Sequence, residues 1–295
     1  MTLPGDDTPF PQSPVAPTLL EGTHTIQFRC HRDIGCWNAC CSNIDISLTP
    51  VDIVRLKRHL DITSTEFLDR FTVPYEMEKD GIAGVKLRPV EVGTACQFMR
   101  EEGCSVYEDR PTACRYYPVA LLSMRHQNES VDRDAFAMVR ESHCLGHLEP
   151  RKLTVDEYRT EQGLTEYDEL ARGWRQLILK KKSSGPTIGK PSKRSLQLFF
   201  LACYDVDRFR EFVASEGFSH LFDIPTDEMH EILLDDLSLM RFGFRFLHQI
   251  LFGEMTIALR EDAVAARATR AHEKAMRLER EAAERAAAQD DLGEG

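Results

Sequence analysis

Four cysteines, Cys30, Cys36, Cys40 and Cys41, fall within the twelve residues "CHRDIGCWNACC". So dense a set of thiols must share a disulfide, a metal or a reactive role, and it limits the fold around it. Eight of the nine cysteines lie in the first half of the chain, with Cys96, Cys104, Cys114 and Cys144 completing the set. At 295 residues the chain is long enough to bury a proper core without covalent staples. The amino terminus has no basic segment followed by an apolar core, and no stretch reaches the roughly 18 apolar residues of a membrane helix. The chain therefore reads as cytoplasmic, where structural disulfides are rare and clustered thiols point to metal or redox chemistry. A formal net charge of -11 argues against nucleic acid and anionic membranes as partners.

The organisation follows the cysteines. Residues 1–20, rich in Pro, Gly and Asp, read as an unstructured leader. Residues 21–150 read as a cysteine-cluster metal-binding domain, 151–182 as a helical extension, 183–194 as a linker, 195–258 as a helical region and 259–295 as a charged, solvated tail helix. The expected fold class is α+β: a small cysteine-rich domain of short strands and helices, followed by a mainly α-helical part. In the first part "HTIQF" is a strand candidate, and Thr49 with Pro50 marks a helix start. Thr63 and Glu66 have capping-box spacing, and Pro111 opens a turn carrying Cys114. Gly-punctuated alternation over 81–122 predicts one or two hairpins that deliver Cys96 and Cys104. Beyond residue 150, Thr165 caps a helix whose stripe of Tyr167, Leu170, Trp174 and Leu177 is a core face. Two apolar helices follow, "SLQLFFLACYDVDRFREFV" and "DEMHEILLDDLSLMRFGFRFLHQILF", and Cys203 in the first of them reads as a buried core thiol.

A tetrahedral zinc site takes four Cys or His ligands, and an iron–sulfur cluster is commonly held by four thiolates. Eight thiols thus match two four-ligand sites, or one site with spare cysteines. Neighbouring side chains on an extended backbone point to opposite sides, so Cys40 and Cys41 are expected to serve different metals, or one metal and one supporting role, rather than close on the same ion. The spacing CX5CX3CC is not that of a radical S-adenosylmethionine enzyme, because Asn43 stands where the third cysteine would be. It also lacks the ferredoxin run and the CX2C knuckles of zinc ribbons. His31, His143 and His147 lie beside cysteines and read as surface or capping residues rather than ligands.

The cysteine run ending in CC, the following "LTPVDIVRLKRHL", the later "CQF" and "GCSVYEDRPTACRYYP", and a last cysteine near 144 together resemble the cysteine-cluster family often called YkgJ. This is the zinc- or iron-chelating CxxCxxCC domain, and the likeness spans residues 24–148. The run here is stretched relative to the family's CX2CX2CC. The resemblance implies a metal-binding domain with Cys36, Cys40, Cys41, Cys96, Cys104 and Cys114 as ligands, and Cys30 and Cys144 completing eight. Four thiolates around a divalent ion leave two excess negative charges. Arg110 and Arg115 inside the signature are expected to face that charge, with Arg29 and Arg32 further candidates. No S-adenosylmethionine-binding glycine loop argues for the methylase activity of some relatives. Three readings stay open: an iron–sulfur cluster serving a redox or protein-modifying reaction, a non-catalytic zinc-stabilised module that binds a protein partner through its helical half, and a metal carrier or redox sensor.

Overall fold

The protein was analysed as a computed structural model, which describes residues 15–77, 82–124, 133–183 and 191–263, with scattered positions from 265 to 280. Strand β1 (Val15–Leu20) and β2 (Thr25–Gln27) open the chain, so residues 15–20, expected to be unstructured, are strand. Their partner is a later strand edge, which a local reading cannot see; residues 1–14 of that expectation lie outside the described residues. After the cysteine run come β3 (Ser47–Leu48), α1 (Pro50–His59), α2 (Ser64–Phe71), β4 (Thr72–Glu76) and β5 (Ala83–Leu87). Then follow β6 (Met99–Arg100), β7 (Gly103–Cys104), α3 (Thr112–Tyr116), β8 (Val119–Met124), β9 (Arg133–Val139) and β10 (Lys152–Thr154). All pairings are antiparallel, in small sheets ordered β1-β9-β8, β10-β2, β3-β5-β4 and β6-β7.

The helix starts have local causes. Thr49 Oγ1 accepts the Asp52 N–H at 3.3 Å while Asp52 Oδ2 accepts the Thr49 N–H at 2.8 Å, a reciprocal cap with Pro50 at the first helical position. Lys57, Arg58 and His59 sit in the last turn of α1, where positive charge suits the helix dipole. Thr63 caps α2 through the Glu66 N–H at 3.1 Å.

The helical half begins with α4 (Val155–Glu161), which carries a second reciprocal cap between Thr154 and Glu157. Helix α5 (Leu164–Ser183) starts one residue before the expected cap Thr165, because Gly163 at φ 66° turns the chain out of α4 and directly into it. Tyr167, Leu170 and Leu177 on its stripe are buried. Each of the two long helices expected next is broken in two: α6 (Lys193–Tyr204) from α7 (Val206–Val213), and, after α8 (Glu216–Ser219), α9 (Thr226–Leu234) from α10 (Asp236–Phe252). The breaks fall at Asp205 and Asp235. Asp235 leaves helical geometry to accept the Ser238 N–H at 2.7 Å, and Asp205 accepts the hydroxyls of Ser64 and Thr65 at 2.7 and 2.8 Å. At each break a short acidic side chain takes hydrogen bonds, a cap at Asp235 and a contact with α2 at Asp205. In the tail Leu259 bridges to Phe222, and the described positions from residue 261 on are helical and mostly exposed.

Two hydrophobic clusters result. The larger runs from Leu48, Ile53, Leu56 and Phe67 to Tyr204, Phe209, Phe218 and Phe246, so the two halves of the chain pack on each other. Cys203 is buried in it, as expected, and burial pushes its thiol far up. The smaller gathers Ile26, Phe28, Tyr116, Phe136, Leu153 and Tyr158 around β1, β2 and β8–β10.

A polar knot locks the halves beside the larger core. Lys57 Nζ, nearly buried, meets Asp207 at 2.9 Å and Asp236 at 3.2 Å, while Arg210 reaches both carboxylates. Burial alone would raise the Asp207 carboxyl, but the Ser64 N–H, Lys57 and Arg210 outweigh it and hold it at about 2. A carboxyl lowered from 3.8 stabilises the fold fully above its unfolded value and loses that contribution as pH falls towards 2. Asp207→Asn is therefore expected to lower unfolding free energy at neutral pH by about 2 kcal/mol. In urea unfolding the gap between wild type and variant should narrow as pH drops below the unfolded carboxyl value; a gap independent of pH would contradict this account.

Candidate metal centre

The first cysteine run is wound rather than extended. Trp37 N–H bonds Ile34 O at 2.9 Å, Ala39 N–H bonds Cys36 O at 3.0 Å, and Asn38, at φ 64°, turns the chain into a 3-10 turn over Ala39–Cys41. Left-handed geometry suits Asn among non-glycine residues. This overturns the expectation that Cys40 and Cys41 face opposite ways, which assumed an extended backbone. Their sulfurs lie 3.9 Å apart. The edge of a tetrahedron of sulfurs about 2.3 Å from a central ion is about 3.8 Å, so the adjacent pair is spaced to share one ion.

Backbone bonds gather the remaining thiols into two groups. Cys96 N–H donates to Cys41 O at 2.8 Å, and Met99 N–H returns to Cys96 O at 3.1 Å. The β6–β7 hairpin then sets Cys104 opposite Met99. As expected, a hairpin presents Cys104, but Cys96 lies before it, bridged to Pro89. Cys114 comes from α3, whose first turn is pinned by Asp52: Oδ1 accepts both the N–H and the hydroxyl of Thr112 at 2.7 Å. On the other side, Cys36 Sγ accepts the Leu145 N–H at 3.3 Å and Arg29 N–H bonds Gly146 O at 3.1 Å, which brings Cys30 and Cys36 to Cys144. One group, Cys41, Cys96 and Cys104, rests on the larger core, and Cys144 packs on the smaller. Cys40 stands between the groups and is felt by Cys30, Cys41, Cys96, Cys104 and Cys114.

The electrostatics suit a cation. Lost hydration, then the charges of Cys40, Cys36 and Cys144, push the Cys30 thiol up to about 11, with Arg110 opposing. Burial, followed by the neighbouring sulfurs, drives Cys114 up strongly; burial also leads the upward shifts of Cys96 and Cys104. The sulfur–sulfur hydrogen bond splits the adjacent pair, lowering Cys40 and raising Cys41. So many crowded sulfurs resist ionising together unless a positive ion neutralises them. The residue types therefore fit zinc or iron, although among the described residues no three His, Cys, Asp or Glu side chains converge closely enough to grip an ion as they stand.

The expected supporting residues divide. Arg110 stacks on Tyr107 at 4.0 Å, and its charge opposes the upward shifts of Cys30 and Cys104. Arg115 differs from expectation: it donates to the carbonyls of Gln162, Arg110 and Glu108 and lies over Tyr167 at 4.5 Å, scaffolding the loop rather than meeting sulfur. Arg29 and Arg32 are exposed. His31 faces Glu149 at 3.6 Å, His143 faces Glu141 at 3.6 Å, and His147 bonds Val139 O at 3.1 Å, each in a non-ligand role. Sequence reading missed Asp52, Arg100 beside Cys104, and Tyr117, whose buried hydroxyl feels the Cys144 thiol. Only Asp52 left a trace, the Thr49–Asp52 capping spacing, and nothing in that spacing announces the distant bond to Thr112.

Residues 29–145 match the family model CxxCxxCC, described as "Putative zinc- or iron-chelating domain". All eight clustered thiols fall inside it. The match supports metal binding by this chain. No curated protein and no solved structure matches it. No helix among the described residues is long and apolar enough to cross a membrane.

Asp52 is fully buried and serves two helix starts at once. Asp52→Ala removes the reciprocal half of the α1 cap, the carboxylate that accepts the Thr49 N–H, and orphans two donors of Thr112, which should cost about 3 kcal/mol. Alkylation followed by mass spectrometry should find Cys114 labelled faster in the variant under native conditions. Unchanged labelling and stability would show that α3 is held by other contacts.

Proposed function

We propose that the cysteine-rich half holds a polynuclear thiolate centre, an iron–sulfur cluster, which serves a redox or protein-modifying reaction on a protein partner. The observation that carries this reading is the gathering of more thiols around Cys40 than one closed four-ligand site uses. Cys40, Cys41, Cys96, Cys104 and Cys114 would supply the main centre, with Cys30, Cys36 and Cys144 as a second donor group beside it. When bound, the cluster would accept and release single electrons. The chain's own part is to bring its sulfurs together and to offset part of their charge with Arg110 and Arg100. Supporting a protein partner on the helical half, Leu221, Leu234 and Met255 are exposed there, at 47%, 72% and 71%.

The Cys40–Cys41 spacing equally favours a second reading, a tetrahedral zinc site that stabilises a non-catalytic interaction module. Anaerobic purification with metal and sulfide analysis and a visible spectrum separates them. Iron with acid-labile sulfide and absorbance near ~400 nm supports the cluster. Stoichiometric zinc in a colourless protein overturns it in favour of the module. If neither metal copurifies and all eight thiols react freely under native reducing conditions, metal binding itself fails and the carrier or sensor role of free thiols takes its place. Cys40→Ser or Cys114→Ser is expected to lower metal content and destabilise the cysteine-rich half, whereas Cys203→Ala leaves metal content unchanged. Equal metal loss in all three variants would place the metal elsewhere.

A further inference from the structure

A cavity of about 590 Å³ opens beside the paired strands β2 and β10, with Leu20, Ile26 and Met138 as its apolar wall and His24, Arg140 and Lys152 as its polar rim. The volume suits a small organic molecule rather than a single ion. Among the described residues no carboxylate lines it, in a chain with 48 acidic residues and a net charge of -11. Several arginines elsewhere are matched with acids, such as Arg55 with Glu166, Arg159 with Asp168 and Arg210 with Asp207. Among the described residues Arg140 and Lys152 have no carboxylate within ion-pair distance. Two unmatched cations and an imidazole over an apolar wall form a surface whose complement is an anionic group on an apolar body.

We propose that this cavity binds a small organic anion, its carboxylate or phosphate held by Arg140 and Lys152 and its apolar part against Ile26 and Met138. The cavity is tied to the second thiol group through the backbone. Strand β2 runs on to Cys30, Arg140 precedes Cys144 by four residues, and Gln27 Nε2 donates to His147 O at 3.3 Å. A ligand there would therefore sit on the Cys30–Cys144 side of the cysteine-rich half. Its binding does not depend on which metal, if any, the thiols hold.

Isothermal calorimetry on the full chain with phenyl phosphate and with benzoate as probes tests this, the two distinguishing a phosphate from a carboxylate preference. Saturable one-to-one binding of at least one probe is expected. Arg140→Ala with Lys152→Ala should weaken it about tenfold or more, and Arg140→Lys should restore part of the loss in the single variant. Far-UV circular dichroism and metal content should match wild type, since both side chains lie on the surface. Benzyl alcohol, apolar and neutral, should not compete. Absence of saturable binding at millimolar probe, equal affinity in the double variant, or competition by benzyl alcohol would each overturn the proposal.

Discussion

The carboxylate of Asp52 is the contact on which the cysteine-rich half depends. Buried completely, it closes the cap of α1 with Thr49 and holds the first turn of α3 through Thr112. Burial raises this carboxyl while the bonds from Thr112 and Thr49 pull it back. A buried carboxylate is tolerable only when its oxygens are satisfied, and here both are, by groups from segments sixty residues apart. Through α3 it sets the position of Cys114; through α1 it anchors the helix that carries Lys57 into the knot with Asp207 and Asp236.

The thiols join two cores. Cys41, Cys96 and Cys104 pack with the larger cluster, which the helical half completes, and Cys144 packs with the smaller one, built on the strands. A metal bound between them would tie the two cores together, so metal binding and folding of this half should be linked. The helical half thus acts as more than an appendage. Its α5 places Tyr167 between the guanidinium groups of Arg55 and Arg115, at 4.4 and 4.5 Å, and so braces the loop that leads to Cys114.

Several features were legible beforehand because their causes are local. Thr49 with Pro50, Thr63 with Glu66, and the turn at Pro111 depend on residues within one helical turn of each other, and all three helices start where the pattern placed them. The stripe on α5 and the burial of Cys203 follow from apolar periodicity. The misses have non-local causes. Residues 15–20 become a strand only because β9 offers an edge. The expected pair of long helices divides where Asp205 and Asp235 find hydrogen bonds better than those of a helix interior.

What the amino-acid sequence determined by itself is the set of candidate donors: eight thiols, their clustering in one half, and a segment that matches a domain described as zinc- or iron-chelating. Ligand type is a property of side chains and survives without a fold. Only the tertiary structure decided how those thiols face one another. A left-handed Asn38 and a single 3-10 turn reversed the expected divergence of Cys40 and Cys41 and set their sulfurs 3.9 Å apart. Contacts from residues 41 to 96 and from 36 to 145 then sorted the remaining thiols into two groups. Spacing along a chain limits which ligands can meet, but backbone turns and long-range hydrogen bonds choose among the meetings it allows.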